Sequence, residues 1–378
     1  MRVLFITQQL DEDGDVLGVA VSWLRALAER VEAVHALALS AGRVTLPPNV
    51  TVHSLGKERG AGKASQLARF QRTLASLAIR RQIDVVFVHM VPEYAMLAAP
   101  LARAFRIPVV LWYTHGSVSG RLRLAHRLVQ RVVTASRESF RLLSDKVTVT
   151  GHGIDTDLFD QPPLARTGEP SGEAAAPFRV LAVGRISRIK DHQTLVRATA
   201  LLRERAPDLP LHVRIAGAPL YADDRRYLEE LRNLAQRLGV GHAVEFAGSV
   251  PNRLLPPAYG AADAAVSTSR TGSVDKVVLE AMACRRPVVT CNEAFVPVLG
   301  RIGPPLMFPA GDAAALADRL FALWQRPRAD LAQVGDDLRA IVVRDHSLQT
   351  WARRTVAIFE ALIGGPSPLP AAAGLPRL

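Results

Sequence analysis

Short β-branched runs alternate along the chain with longer stretches whose apolar residues recur at helical spacing. In the first part, residues 3–7, 50–55, 84–89 and 108–114 read as strands, with helices near 18–31, 64–82, 93–105 and 121–130. Such alternation predicts parallel sheets joined by crossover helices. Residues 161–177, QPPLARTGEPSGEAAAP, break the pattern with Pro, Gly and small residues and read as a linker. RVLAVGR at 179–185 then echoes RVLFITQ at 2–8, and a second series follows with strands near 211–217, 243–247, 264–267 and 287–290. The expected fold is α/β: two facing, doubly wound, Rossmann-like domains over 1–160 and 178–345, with an inter-domain cleft. A helix over 346–363, around Trp351, is expected to cross back to the first domain, and the tail 364–378 to be disordered.

A length of 378 residues supports the two-domain reading, being too long for one core. With 49% hydrophobic and 22% charged residues the composition is that of a soluble globular protein. The opening residues hold too few apolar positions for a signal peptide. No uninterrupted apolar run approaches the roughly 18 residues of a membrane span. The best stretch, 85–114, is broken by Glu93, Arg103 and Arg106, so a cytoplasmic location is expected. Cys284 and Cys291 match neither a zinc nor a redox spacing and read as structural. The net charge of +12 favours an anionic partner, whether nucleic acid, a phosphorylated small molecule or an acidic membrane. A GC-rich genome also enriches arginine, so charge alone does not choose. No nucleic-acid module is recognisable and aromatic residues are only 6%, so nucleic acid is not an expected partner.

Open α/β sheets bind ligands beyond the carboxyl ends of their strands. After the strand at 179–183, GRISRIKDHQTL brings Arg185 and Lys190 to a turn that leads into a helix, the ingredients of a phosphate site. TGSVDKVVLEAMACRRPVV, 271–289, poses a second problem. Lys276 sits in a helical first turn, against the macrodipole, and Glu280 lies one turn later among apolar residues. One solution is a diphosphate there. Ser273 would be the N-cap, Gly272 would permit close approach, the amides of Val274 and Asp275 would face the ligand, and Glu280 would accept ribose hydroxyls. The other is an i,i+4 ion pair between Lys276 and Glu280, in the weaker Lys-first orientation.

Residues 179–290 resemble the nucleotide-sugar-binding domain of retaining glycosyltransferases of family four, the "group 1" glycosyltransferases of GT-B fold. The resemblance implies that Gly184, Arg185 and Lys190 bind the donor's diphosphate. It also implies that Glu280, followed by Ala281, Met282, Ala283 and Cys284, is the second glutamate of the family's E-x7-E motif and holds the ribose. The chain departs from the family at the first glutamate, where Gly272 stands, and at the following Gly-Phe-Gly, which is Ser273-Val274-Asp275. That leaves the sugar open, with Asp275 a candidate substitute. In the first domain, Gly18 of LDEDGDVLG resembles the acceptor and phosphate loop, and His115 of YTHGS resembles the histidine that approaches the donor sugar. GHGIDTDLF, 151–159, resembles the segment leading into the interdomain linker. His89 and Glu93 also end a strand, but a core histidine and a solvated glutamate read equally well.

Asp11-Glu12-Asp13 spells the metal motif of a different glycosyltransferase fold and reads here as a solvated turn; the resemblance implies no metal and no cofactor beyond the nucleotide sugar. GAGKAS, 60–65, is not a P-loop, no GxGxxG follows either first strand, and no Gly-x-Ser-x-Gly is present. The expected activity is metal-independent hexosyl transfer with retention from a nucleotide-diphosphate sugar to an acceptor hydroxyl. The alternatives are a sugar-nucleotide epimerase of the same fold and a non-catalytic scaffold of an envelope-assembly complex. Basic amphipathic stretches at 57–81, with Leu67, Phe70, Leu74 and Leu77, and at 121–137 suit either docking on an anionic membrane or packing on the first sheet. On the first reading the acceptor is lipid-linked or an envelope glycan, elongated at the inner face of the membrane.

Overall fold

The structure, a computed structural model, describes residues 1–12, 19–164 and 177–364. These fall into two compact units, one of residues up to Gly153 together with the helix beginning at Leu348, the other Ile154–Ser347.

The first unit is built on seven parallel strands, β1 (Arg2–Leu10), β2 (Ala33–Ala41), β3 (Val50–Ser54), β4 (Val85–His89), β5 (Val109–Trp112), β6 (Arg131–Thr134) and β7 (Val147–Val149), in the order β3-β2-β1-β4-β5-β6-β7. Its first helices are α1 (Val19–Ala28), α2 (Lys63–Ile79), α3 (Pro92–Ala104) and α4 (Gly120–Leu128). Alternation along β1 sends Leu4 and Ile6 to one face of the sheet, where Phe70, Leu74 and Leu77 of α2 and Leu122 of α4 cover them. Val3 and Phe5 point to the other face, under Trp23 and Leu24 of α1 and Trp351 and Phe359 of the last helix. Trp351 stacks on Trp23 with ring centroids 4.0 Å apart.

The second unit has five parallel strands, β8 (Phe178–Val183), β9 (Leu211–Ala216), β10 (Val244–Gly248), β11 (Ala264–Ser267) and β12 (Val288–Thr290), in the order β10-β9-β8-β11-β12. Its helices are α5 (His192–Arg205), α6 (Ala222–Arg237), α7 (Leu255–Gly260), α8 (Lys276–Ala283), α9 (Val296–Leu299), α10 (Ala313–Trp324) and α11 (Arg328–Asp345); α12 (Leu348–Ile363) closes the described chain. The units part at Gly153–Ile154, ahead of the expected boundary at 160, and again at Ser347–Leu348. Residues 161 and 162, expected to open a linker, are tied into the second unit. Arg285 Nη1 donates to the Gln161 carbonyl at 2.6 Å, and the buried Arg286 donates through Nη2 to the Pro162 carbonyl at 2.8 Å. Residues 165–176 of that segment and the expected tail beyond 364 lie outside the described residues.

Each unit carries a histidine that is only 3% exposed, His89 in the first and His192 in the second. His89 sits at the end of β4 among Phe5, Trp23 and Trp112, its Nδ1 3.0 Å from Thr7 Oγ1. His192 opens α5. Burial pushes both imidazoles down to about 4, so each remains neutral at physiological pH. The unfolded chain protonates them near 6.5, so their stabilisation is complete above that pH and is lost as pH falls toward 4, at about 3 kcal/mol for each histidine. Calorimetric melting of both units should therefore be flat from pH 8 to 7 and drop steeply between pH 6.5 and 4.5; a transition temperature constant over that lower window would contradict it.

Candidate functional site

The order β10-β9-β8-β11-β12 places a topological switch between β8 and β11, because β8 feeds a connection to β9 on one side while β11 lies on its other. Chain leaving the two strands must diverge there, opening a crevice at their carboxyl ends. The loops 184–191 and 268–275 line it. They are joined where the amide of Arg270 donates to the Ile189 carbonyl at 3.0 Å and Thr268 Oγ1 donates to the Lys190 carbonyl at 2.6 Å.

Into this crevice the structure brings Lys190, whose Nζ donates to Asp275 Oδ1 at 2.9 Å and to Ser269 Oγ at 3.2 Å, with one-fifth of the side chain exposed. Asp275 is buried, and its other oxygen accepts from Asn292 Nδ2 at 3.2 Å. Arg185 is exposed, its guanidinium 5.8 Å from the centre of the Tyr221 ring. Among the described ion pairs none involves it. Arg270 pairs with Asp191, which is buried and in a left-handed conformation at φ 49°. Gly184 stands at φ 148° between the strand and the loop, a conformation open chiefly to glycine.

The expected helix start is corrected. α8 begins at Lys276 with Asp275 in the capping position, and Ser273 is not the cap. Asp275 makes no capping bond, because its carboxylate is turned to Lys190, while the Ser273 carbonyl is held by Asn292 Nδ2 at 2.7 Å. The first-turn amides are accordingly those of Lys276 and Val277, not of Val274 and Asp275, and the Val274 side chain is buried in the core. Gly272 takes the left-handed φ of 63° that the turn requires. Lys276 and Glu280 do form their i,i+4 ion pair, at 2.8 Å. Yet the pair accounts for only one carboxylate oxygen. Glu280 is 1% exposed, its Oε1 takes Lys276 and a 3.4 Å bond from Asn252 Nδ2, and its buried Oε2 has no hydrogen-bond partner. A buried acceptor without a donor is costly, and a ligand hydroxyl would satisfy it. Asn252, Ser269, Thr271 and Asn292 were not singled out by the sequence; all follow strand ends, the one signal that points to them.

Cys284 and Cys291 are inert, their thiols pushed up to about 12 and about 11, foremost by burial. Among the described residues no group of three or more His, Cys, Asp or Glu side chains could hold a metal ion.

In the first unit the corresponding switch lies between β1 and β4. A pocket there is lined by Gln8, Met90, Glu93, Tyr113, His115 and Arg121. His115 is exposed, and its Nδ1 accepts from the Ser117 amide at 3.1 Å, which leaves the ring proton on Nε2 as a donor. Met90 holds a left-handed φ of 67°, the kind of backbone strain that gathers at binding sites. Glu93 pairs with Arg121 at 2.8 Å, and His89 is the buried core histidine described above. Gly18 and Asp13 lie outside the described residues.

Two parallel-sheet α/β units, each with its polar residues gathered at a switch point, define the GT-B fold. Solved structures carry the same fold. Anabaena HepE, crystallised with UDP, matches with a TM-score of 0.74 at 19% identity over 96% of this chain and 100% of that one. Sucrose-phosphate synthase from Thermosynechococcus elongatus matches at 0.77 and 19%, over 96% and 99%. Residues 177–326 match the family model "Glycosyl transferases group 1" and residues 15–161 the model "Glycosyl transferase 4-like". The chain belongs to this glycosyltransferase family. A curated relative, D-inositol 3-phosphate glycosyltransferase of Arthrobacter sp. (strain FB24), is 33% identical over 248 residues, 63% of this chain and 56% of that protein. The chain thus spans about half the length of the curated relatives it matches.

Proposed function

We propose that the protein transfers a hexosyl group from a nucleotide-diphosphate sugar to an acceptor hydroxyl, with retention of configuration and without a metal. The observation that carries this reading is the pairing of a cationic crevice at Arg185 and Lys190 with the orphaned, buried Glu280 Oε2, which suits a diphosphate beside a ribose. In the reaction the bond from the anomeric carbon to the β-phosphate oxygen breaks, and the acceptor oxygen bonds to that carbon from the same face. The departing phosphate takes the acceptor proton. Arg185, Lys190 and the first-turn amides of α8 stabilise the charge that develops on the diphosphate. His115 Nε2–H serves as a donor toward the sugar. Support comes also from HepE, whose structures hold UDP and UDP-glucose.

Calorimetric titration with a panel of nucleoside diphosphates and their sugars is the test. Glu280→Gln should weaken the diphosphate as well as the whole donor, by about 10-fold for a charge-assisted bond to ribose, and a chelator should change neither. Equal affinity in the variant would leave Glu280 as a partner of Lys276 alone. Gly272, in place of the family's first glutamate, favours a scaffold as the second reading; donor hydrolysis by the purified protein would exclude it.

The acceptor we propose is lipid-linked or an envelope glycan, reached at an anionic membrane surface. Phe70, Leu74 and Leu77 of α2 belong to the core and do not serve membrane contact. The surface that remains is basic, with Leu124 and Leu128 exposed on α4 among Arg121, Arg123 and Arg127. Binding would then be electrostatic, at roughly 1 kcal/mol per cation near the lipid. Flotation should show the protein on anionic but not neutral liposomes at low salt, with release as salt rises; no lipid preference would point to a soluble acceptor.

A further inference from the structure

Three cations of the second unit's crevice come with acids of their own. Arg270 is paired with Asp191, Lys276 with Glu280 and Lys190 with Asp275. The first two pairs have ordinary explanations, since Asp191 also accepts from Thr194 Oγ1 at 2.8 Å in the first turn of α5 and Glu280 balances a lysine one turn away. Asp275 differs. It occupies the capping position of α8, where a carboxylate normally accepts from the helix amides, and it forgoes that bond. Instead the side chain is buried, fixed by Lys190 at 2.9 Å, by Asn292 at 3.2 Å and by Thr271 Oγ1 at 3.4 Å. A negative charge is thereby held rigidly against the lysine expected to bind an anion.

We propose that Asp275 is a built-in counter-anion that keeps affinity for the nucleoside diphosphate product low and so speeds its release. The inference rests on the reading of Lys190 as a diphosphate ligand. An ammonium has three N–H donors; Asp275 and Ser269 take two, and the third is left for a phosphate oxygen. That oxygen then lies about 5 Å from the Asp275 carboxylate, by ordinary hydrogen-bond lengths about the shared nitrogen. The donor is a diphosphate diester. Breaking the sugar–oxygen bond leaves a terminal phosphate whose oxygen no longer carries carbon, with greater negative charge once the acceptor proton is lost to solvent. A fixed carboxylate repels this product more than it repels the donor. Asp275 therefore contributes discrimination between the two, at the expense of tight binding to either. Asn292 and Thr271 keep the carboxylate from turning away when the phosphate arrives.

The experiment compares UDP and UDP-glucose binding by calorimetry, with steady-state and burst kinetics, in the wild-type protein, Asp275→Asn and Asp275→Glu; thermal unfolding without ligand checks each fold. If the wild type prefers other nucleotides in the panel above, the same pair of that base is used. Asp275→Asn is expected to bind the diphosphate on the order of 10-fold more tightly or better, with a smaller gain for the sugar nucleotide, as befits removal of a like charge about 5 Å away. Its turnover should fall with a burst of the first product, because release becomes limiting. Asp275→Glu, which keeps the charge, should stay near wild-type diphosphate affinity. A structural role alone would weaken binding in both variants. Unchanged or weaker diphosphate binding by a folded Asp275→Asn, where the wild type binds, overturns the counter-anion and leaves the function standing. Failure of the wild type to bind any diphosphate of the panel overturns both.

Discussion

Arg185→Ala is expected to lower turnover on the order of 10²-fold or more with no loss of stability, and Lys190→Ala to lower it as much while also loosening the fold. The two differ because their surroundings differ. Arg185 is exposed and makes no ion pair among those described, so its removal takes away charge available to a leaving diphosphate and, besides that, a 5.8 Å contact with the exposed Tyr221 ring. Lys190 is the main partner of a buried carboxylate. Without it Asp275 keeps only Asn292 and Thr271, and an uncompensated charge is left inside the protein, at a cost of about 2–3 kcal/mol for a site still touched by solvent. The double variant Lys190→Ala with Asp275→Asn should recover most of that stability and none of the turnover. Steady-state rates with calorimetric unfolding check both halves. Wild-type turnover in either single variant would remove the residue from the diphosphate site.

The alternation of strands and helices was legible because buried parallel strands are short and β-branched. β4, VVFVH, is buried at every position, and only its last residue, His89, is polar, so the apolar run stands out. β2, AVHALALSA, escaped the sequence reading, since four of its nine residues are alanine, which favours no strand. Its place beside β1 comes from sheet pairing rather than from its own propensity. β6 and β7 are only four and three residues long and carry too little pattern to stand out.

Within the candidate site, Gly184, Arg185, Lys190 and Glu280 were readable because each follows a strand at a fixed distance or sits at a fixed helical offset. What could not be read was which loop meets which. Lys190 and Asp275 are 85 residues apart, and only the adjacency of β8 and β11 brings them together. The same contact explains the misplaced helix start. Ser273 and Asp275 are both good capping residues by type, but the carboxylate finds a lysine and the serine carbonyl finds Asn292, so α8 begins after both.

Gly217→Ala is expected to weaken diphosphate binding by about 10²-fold or more, although no side chain of the proposed site is touched. A Cβ at Gly217 would lie 1.9 Å from the Gly184 carbonyl oxygen and 2.7 Å from its carbon, both backbone atoms that cannot swing aside. The two glycines meet because the segments leaving the adjacent strands β8 and β9 run on side by side. The Gly184 amide donates to the Ala216 carbonyl at 3.0 Å, and the Ile186 amide to that of Ala218 at 3.1 Å. To admit a methyl group, the 184–186 turn must move outward by an ångström or more, breaking these bonds and carrying Arg185 with it. Displacement of that order costs about 10²-fold in a preorganised site, and forced overpacking costs about 1–3 kcal/mol of stability. Gly184→Ala makes the useful contrast. Its Cβ would meet nothing nearer than Lys190 Cε at 3.8 Å, so the penalty there is the φ of 148° alone and the loop keeps its path. Calorimetry should therefore find Gly184→Ala destabilised but still able to bind the diphosphate, and Gly217→Ala folded with affinity reduced by about 10²-fold or beyond detection. Equal affinities in the two variants would mean that the close contact of these segments does not set the position of Arg185.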